Sequence, residues 1–220
     1  MGALSFANGS ARMKISHKQL EECRQQPRQW LVNVSGSYTG PRRLGYSQVL
    51  QLAIHLYHKD GSAANARQHL STLMARADFR NAVRVDLTEA SLDSYIDWHS
   101  ASGTITADHR VRLLLDIQGY LALSGEVSRV DITPEGYRGV LLGVPPRGWR
   151  DQLRMPLLQR ALSRKYGRPL NEISIGVQEL DGSGLAITNF SLRRITEAER
   201  EFLDLGQQVR QLVDGTRAPE

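Results

Sequence analysis

Residues 124–143 read SGEVSRVDITPEGYRGVLLG: two β-rich runs hinged on the turn-like TPEG, with a glycine before the first run and another behind the second. β-Branched and aliphatic residues fit a pleated, half-buried surface, and a Pro–Glu–Gly turn between two such runs predicts an antiparallel hairpin. The same texture begins earlier. TITADHRVRLLLDI and YLALSGEVSRVDI precede YRGVLLG, so a meander of three antiparallel strands is predicted between about Thr104 and Leu142. A sheet this small must bury its apolar surface against helices.

Helical spacing supplies them. Val49, Leu50, Leu52, Ala53, Ile54, Leu56 and Tyr57 form a wide apolar stripe over 46–58, stopped by KDGS. Further helices are predicted over 63–76 and about 80–99. Nearer the N-terminus, Ser16 stands before an acidic pair and predicts a short helix carrying Ile15, Leu20 and Cys23 and ending near Pro27. QWLVNV is a second apolar patch, and SGSYTGPRR is a loop. After the meander, WRDQLRMPLLQRALSRKYG returns to helical spacing with Pro156 confined to its first turns. EISIGVQEL is a fourth strand. Thr196 and Glu199 read as a capping box opening a last amphipathic helix with Phe202, Leu203, Leu205, Val209 and Leu212. This order of elements implies a mixed α+β class. The expected layout is a leader or disordered tail over 1–12 and a single domain over 13–220. Its parts are a helical region (13–100), a sheet-bearing core (101–190) and a C-terminal helix (191–220).

With 220 residues, 40% of them hydrophobic, the chain can bury one sizeable core. No apolar run approaches the roughly 18 residues of a membrane span, and no signal pattern opens the sequence, so a soluble cytoplasmic protein without membrane contact is expected. The lone Cys23 excludes an internal disulfide, a cysteine-type zinc site and an all-cysteine iron–sulfur cluster within one chain. A net charge of +5, carried mostly by arginine, favours a polyanionic partner, because the guanidinium fork suits phosphate.

Four stretches stand in the order ISHKQLEECRQQPRQW, LGYSQVL, GEVSRVD with the GVLLG that follows it, and DQLRMPLLQRALSRKYGRP. Together they resemble the RecB-type branch of the PD-(D/E)XK nuclease superfamily, which includes small CRISPR-associated exonucleases, over most of residues 14–190. In the first stretch Ser16, Leu20, Pro27 and Trp30 follow the family pattern, while Cys23 stands at an aromatic position and Gln26 where the family has a cysteine. In the second, Gly45 matches and Val49 takes the place of a metal-site histidine. In the third, Gly125, Arg129 and Asp131 match. Ser128 replaces a metal-binding aspartate, and Leu141 and Gly143 occupy the Asp and Lys positions of an Asp-x-Lys. In the fourth, Gln152 and Leu153 match and Pro156 replaces a tyrosine.

The resemblance implies a restriction-endonuclease-like core, a small central mixed sheet flanked by helices. Chemistry in such a core needs carboxylates on adjacent strands to hold Mg²⁺ and a lysine to offset developing charge. With Val49, Ser128, Leu141 and Gly143 at those positions, it implies a catalytically inactive scaffold without a cofactor. Such a scaffold would serve as a nucleic-acid-binding or scaffold subunit in bacterial DNA repair or anti-phage, CRISPR-type defence, alongside a protein partner. Two other readings stay open: an active metal-dependent nuclease whose ligands have moved to Glu126 and a carboxylate from another strand, and a protein-interaction subunit that binds no nucleic acid.

Strand alternation puts Glu126 and Ser128 on one face and Val127 with Arg129 on the other. Arg129 and Asp131 share a face and can pair. His55 and His58, at i and i+3, read as solvated histidines near a helix end, and Cys23 as a buried core thiol. The candidate contacts to a DNA or RNA backbone are Arg129, Arg147, Arg150, Arg154, Arg160 and Arg164. The last four stand near one-turn spacing and are expected to form a basic stripe. Other basic residues recur at Arg24, Arg28, Arg42, Arg43, Lys165 and Arg168. Trp149 is expected to pack on the sheet edge rather than stack on a base.

Overall fold

The structure, a computed structural model, describes residues 13–35, 44–77, 79, 81–143 and 147–215. The expected leader over 1–12, and Arg42 and Arg43, lie outside the described residues. The expected meander is present as β2 (Ile105–Ile117), β3 (Leu121–Thr133) and β4 (Gly136–Leu142), paired antiparallel in sequence order. Expected helices also form: α3 (Tyr46–Asp60), α4 (Ala63–Arg76), α5 (Ala82–Ala101) and α6 (Arg154–Tyr166). The Ser62 and Asn81 side chains cap α4 and α5 by accepting the Asn65 and Arg84 N–H groups, and Gly61 ends α3 in the left-handed region. Pro156 is the third residue of α6, where its missing N–H has no intrahelical partner to lose.

The N-terminal reading is corrected. Ser16 does not cap a helix; it ends a four-residue strand, β1 (Met13–Ser16), and α1 (Leu20–Gln25) begins after Gln19. Met13 and Ile15 are buried on either side of exposed Lys14, a period of two too short to stand out beside the helical spacing of Leu20 and Cys23. α1 ends at Gln25, two residues before Pro27, and QWLVNV lies within α2 (Pro27–Ser35). α7 (Leu192–Gly215) starts four residues before Thr196, with the Ser191 hydroxyl accepting the Arg194 N–H at 3.2 Å. The expected Thr196–Glu199 box is not formed: Thr196 donates to the Leu192 carbonyl inside the helix, and Glu199 turns toward Arg160.

β1 pairs parallel with β3, β4 parallel with β5 (Ile173–Gln178), and β5 antiparallel with β6 (Ala186–Thr188), giving a six-stranded mixed sheet. β6, three residues long, carries too little pattern to be read from sequence. One face of the sheet is covered by α1, α2, α6 and α7 through a core that includes Trp30, Leu157, Leu158, Leu162 and Phe202. The other is covered by α3, α4 and α5 around Val49, Ile54, Leu70, Leu92 and Tyr95, with Val140 and Leu142 of the sheet. Gly125 lets α6 come close: a Cβ there would stand 2.7 Å from a terminal carbon of Leu158.

Candidate functional site at a fork in the sheet

Halfway along β3 one of its neighbours changes. Residues 121–124 pair with β1, and residues 129–133 pair with β4. β1 runs parallel to β3 and β4 antiparallel, so their C-terminal ends meet beside residues 125–128. The two ends are pinned in place. The His17 N–H donates to the Ser124 carbonyl at 2.7 Å, and the Gly143 N–H to the Gln178 carbonyl at 2.9 Å. The Leu142 N–H donates to the Ser128 hydroxyl at 3.1 Å, and the Gln51 amide to the Leu142 carbonyl at 3.2 Å.

The fork holds a cavity of about 140 Å³ lined by His17, Lys18, Gln51, His55, Glu126, Ser128, Leu141, Leu142, Gly143, Arg154 and Val177. Three of the four positions that the resemblance marks as degenerate, Ser128, Leu141 and Gly143, therefore converge. Val49 does not join them. It is buried in the core beneath α3, and the α3 side chains that reach the cavity are Gln51 and His55. Gln152, the retained position, spends its side-chain oxygen on Arg154 Nε at 2.7 Å.

The two histidines set the electrostatics. His17 is 3% exposed and His55 8%, and His17 Nδ1, His17 Nε2 and His55 Nδ1 have no hydrogen-bond partner. Burial, followed by the positive charges of Arg154 and Lys18, lowers the His17 pKa to about 4. Burial, then Arg110, His109 and Lys18, lowers that of His55 to about 4. Both rings are neutral at pH 7 and sit in an electropositive recess.

Divalent metal fits this recess poorly. Mg²⁺ requires hard oxygen ligands in near-octahedral array. Glu126 is the carboxylate lining the cavity, and it stands 3.6 Å from Arg110. Among the described residues no three His, Cys, Asp or Glu side chains converge as ligands. Glu126 and Ser128 do share the cavity, as alternation predicts.

Arg129 corrects the same prediction. Val127 packs into the core beneath α6, whereas Arg129 lies on the opposite face among α5 side chains. The pairing with β4 begins only at Arg129, and the facing strand β2 is irregular here, with Arg110 at a φ of 50° between the residues paired to Arg129 and Val127. Arg129 is fully buried, so it cannot serve as the surface phosphate contact expected of it. Its Nε donates to both Asp131 carboxylate oxygens at 2.9 and 3.1 Å, and its Nη1 donates to Tyr95 Oη at 2.7 Å. The guanidinium carbon lies 5.1 Å from the Trp98 ring centroid. Tyr95 Oη is 2.7 Å from His58 Nε2, and Thr106 links Asp131 to His99. His58, expected to be solvated, is thus a member of a buried polar network, and burial lowers its pKa to about 3. His55 is likewise buried rather than solvated.

The remaining arginines do not form one stripe. Arg160 and Arg164 both reach Glu199 on α7, at 2.9 and 3.9 Å, and Arg164 also donates to the Asp116 carbonyl. Arg154 is half-buried at the cavity. Arg147 and Arg150 are exposed, with Arg150 lying over the buried Trp149 ring. α6 is itself mostly buried, which separates its basic positions. Cys23 is a core thiol, and burial raises its pKa to about 12.

No protein-family model and no curated protein matches the sequence. Among solved structures, one from Eubacterium rectale, of a protein provisionally assigned as an exonuclease, superposes with a TM-score of 0.59. The match covers 94% of this chain and 84% of that one at 8% identity. The likeness at that identity is one of fold, and the mixed α+β architecture with its central mixed sheet is shared. A second, the protein SSO0001, is 11% identical over 89% of this chain and 84% of that one, with a TM-score of 0.33. Among the described residues no helix is long and apolar enough to cross a membrane.

Proposed function

We propose that this chain is a RecB-type nuclease scaffold without nuclease activity, acting in the bacterial cytoplasm as a nucleic-acid-holding or scaffolding subunit of a DNA-repair or anti-phage assembly. One observation carries the reading. At the fork, where adjacent strands of such a nuclease would present metal-binding carboxylates and a lysine, the chain places Ser128, Leu141 and Gly143. The Ser128 hydroxyl is already engaged by the Leu142 N–H. The fold shared with the Eubacterium rectale protein supports the scaffold, and the net charge of +5 supports a polyanionic partner.

The backbone contacts in this reading come from exposed Arg147 and Arg150 and from Arg154 at the cavity. Binding is weakly dependent on base sequence, because guanidinium groups on phosphates position a strand without reading it. With roughly four phosphate contacts, affinity falls on the order of a hundredfold between 50 and 200 mM salt. The test is fluorescence anisotropy with labelled DNA and RNA across salt concentrations, alongside a cleavage assay with Mg²⁺ or Mn²⁺. Salt-dependent binding without cleavage is expected. Cleavage that disappears in Glu126→Ala would instead establish a relocated metal site, and a folded protein that binds neither polymer at low salt would leave only the scaffold role.

A further inference from the structure

The cavity at the fork contains more polar capacity than the protein itself satisfies. Buried polar groups are nearly always hydrogen-bonded, and leaving one unpaired costs about 1–3 kcal/mol. Here three ring nitrogens on two buried histidines are unpaired, and both side chains line the same cavity. A neutral imidazole carries one donor and one acceptor. Lys18 and Arg154 add positive charge at the wall, while the opposing carboxylate of Glu126 is drawn toward Arg110. At about 140 Å³ the space is well below the roughly 300–1,000 Å³ of pockets that enclose drug-sized ligands. That excludes a whole nucleoside and leaves a small oxyanion.

We propose that this cavity is a metal-free phosphoryl-binding pocket, in which the His17 and His55 rings, Lys18 and Arg154 hold one phosphate group of a nucleic-acid strand. The proposal rests on the nucleic-acid reading and adds to it where a phosphate sits and what replaces the metal. A phosphoryl group presents acceptor oxygens to the ring N–H groups and to the two cations. In its monoprotonated form it also offers a hydroxyl to an imidazole acceptor. The group can be a strand terminus, with three non-bridging oxygens of which one can carry that hydroxyl proton, or an internal phosphate, with two non-bridging oxygens and no hydroxyl.

The test uses the full chain and three probes: inorganic phosphate, and one oligonucleotide with either a 5′-phosphate or a 5′-hydroxyl. Imidazole nitrogen NMR on the unmodified protein follows His17 and His55 during phosphate titration, with chloride at matched ionic strength as control. Saturable shifts of both rings are expected with phosphate and absent with chloride. His17→Asn and Arg154→Gln, each checked for an unchanged melting profile, should weaken phosphate binding roughly ten- to a hundredfold, as loss of a charge-assisted contact does. A strong preference for the 5′-phosphorylated strand assigns a terminus. Equal binding of both strands, competed by phosphate, assigns an internal position. Unmoved ring resonances, with oligonucleotide binding indifferent to both variants, overturn the pocket while sparing the nucleic-acid reading. Phosphate binding without any oligonucleotide binding keeps the pocket and removes that reading.

Discussion

Strand β3 presents two polar groups to the interior within six residues, and they are treated in opposite ways. At Arg129 and Asp131 the opposite charges meet: carboxylate, guanidinium, Tyr95 hydroxyl and His58 ring form one connected chain of hydrogen bonds, with Arg129 Nη2 alone on the guanidinium lacking a partner. At Glu126 and Ser128, three residues back, the neighbouring histidines have ring nitrogens without partners. Arg129, Asp131 and the two histidines are all buried, while Glu126 and Ser128 are partly exposed. The regions differ in how many of their buried polar atoms find partners. A network with most of its polar atoms paired stabilises the seam between the sheet and α5, whereas unpaired ring nitrogens lower stability and stay available to something else.

The comparison predicts graded responses. Asp131→Ala strands a buried guanidinium and should lower the unfolding free energy by about 3–5 kcal/mol in urea titration, the largest effect here. Arg129→Met combined with Asp131→Leu should recover much of that loss, since no orphan charge remains. Acid should act on both regions together. His17, His55 and His58 have folded pKa values of about 4, 4 and 3, below the ordinary 6.5. The unfolded chain therefore binds protons first as pH falls. Their contribution is intact above pH 6.5 and is lost from there down toward pH 4. Denaturation curves should show a loss of about 3–4 kcal/mol between pH 7 and pH 5.5.

The sharpest contrast lies on one helix. His58→Leu breaks the bond to Tyr95 and should cost about 1–3 kcal/mol, while His55→Leu removes an unpartnered ring nitrogen and should stay within about 1 kcal/mol of the parent. Equal losses at the two positions would erase the distinction drawn between the regions. Ser128→Ala frees the Leu142 N–H and should cost about 1 kcal/mol by thermal or chemical denaturation.

The long elements were legible because their periods are long. α3 repeats its apolar spacing over four turns, and the meander alternates over strands of up to 13 residues. β1 and β6, at four and three residues, carry no such repetition, and the fork exists only through β1. Of the site, Ser128, Leu141 and Gly143 could be placed by motif spacing. His17 and His55 could not, because their burial comes from chain segments distant in sequence. Nothing local marks His55 as different from His58. Likewise Glu199 reads as a cap from its spacing to Thr196, and only the packing of α7 on α6 turns it toward Arg160.

β1 is an early segment whose strand partner, β3, comes late. The Ser124 hydroxyl that donates to the Ile15 carbonyl is 109 residues further along the chain. At roughly 5–20 residues per second, a ribosome needs on the order of 5–20 s to bring the second into existence after the first. During that interval α3, α4 and α5 can already pack against one another, but the fork has no second prong. The recess thus closes only after β3, β4 and the later residues that line it have emerged, and its two histidines pass most of translation in water, at their ordinary proton affinity.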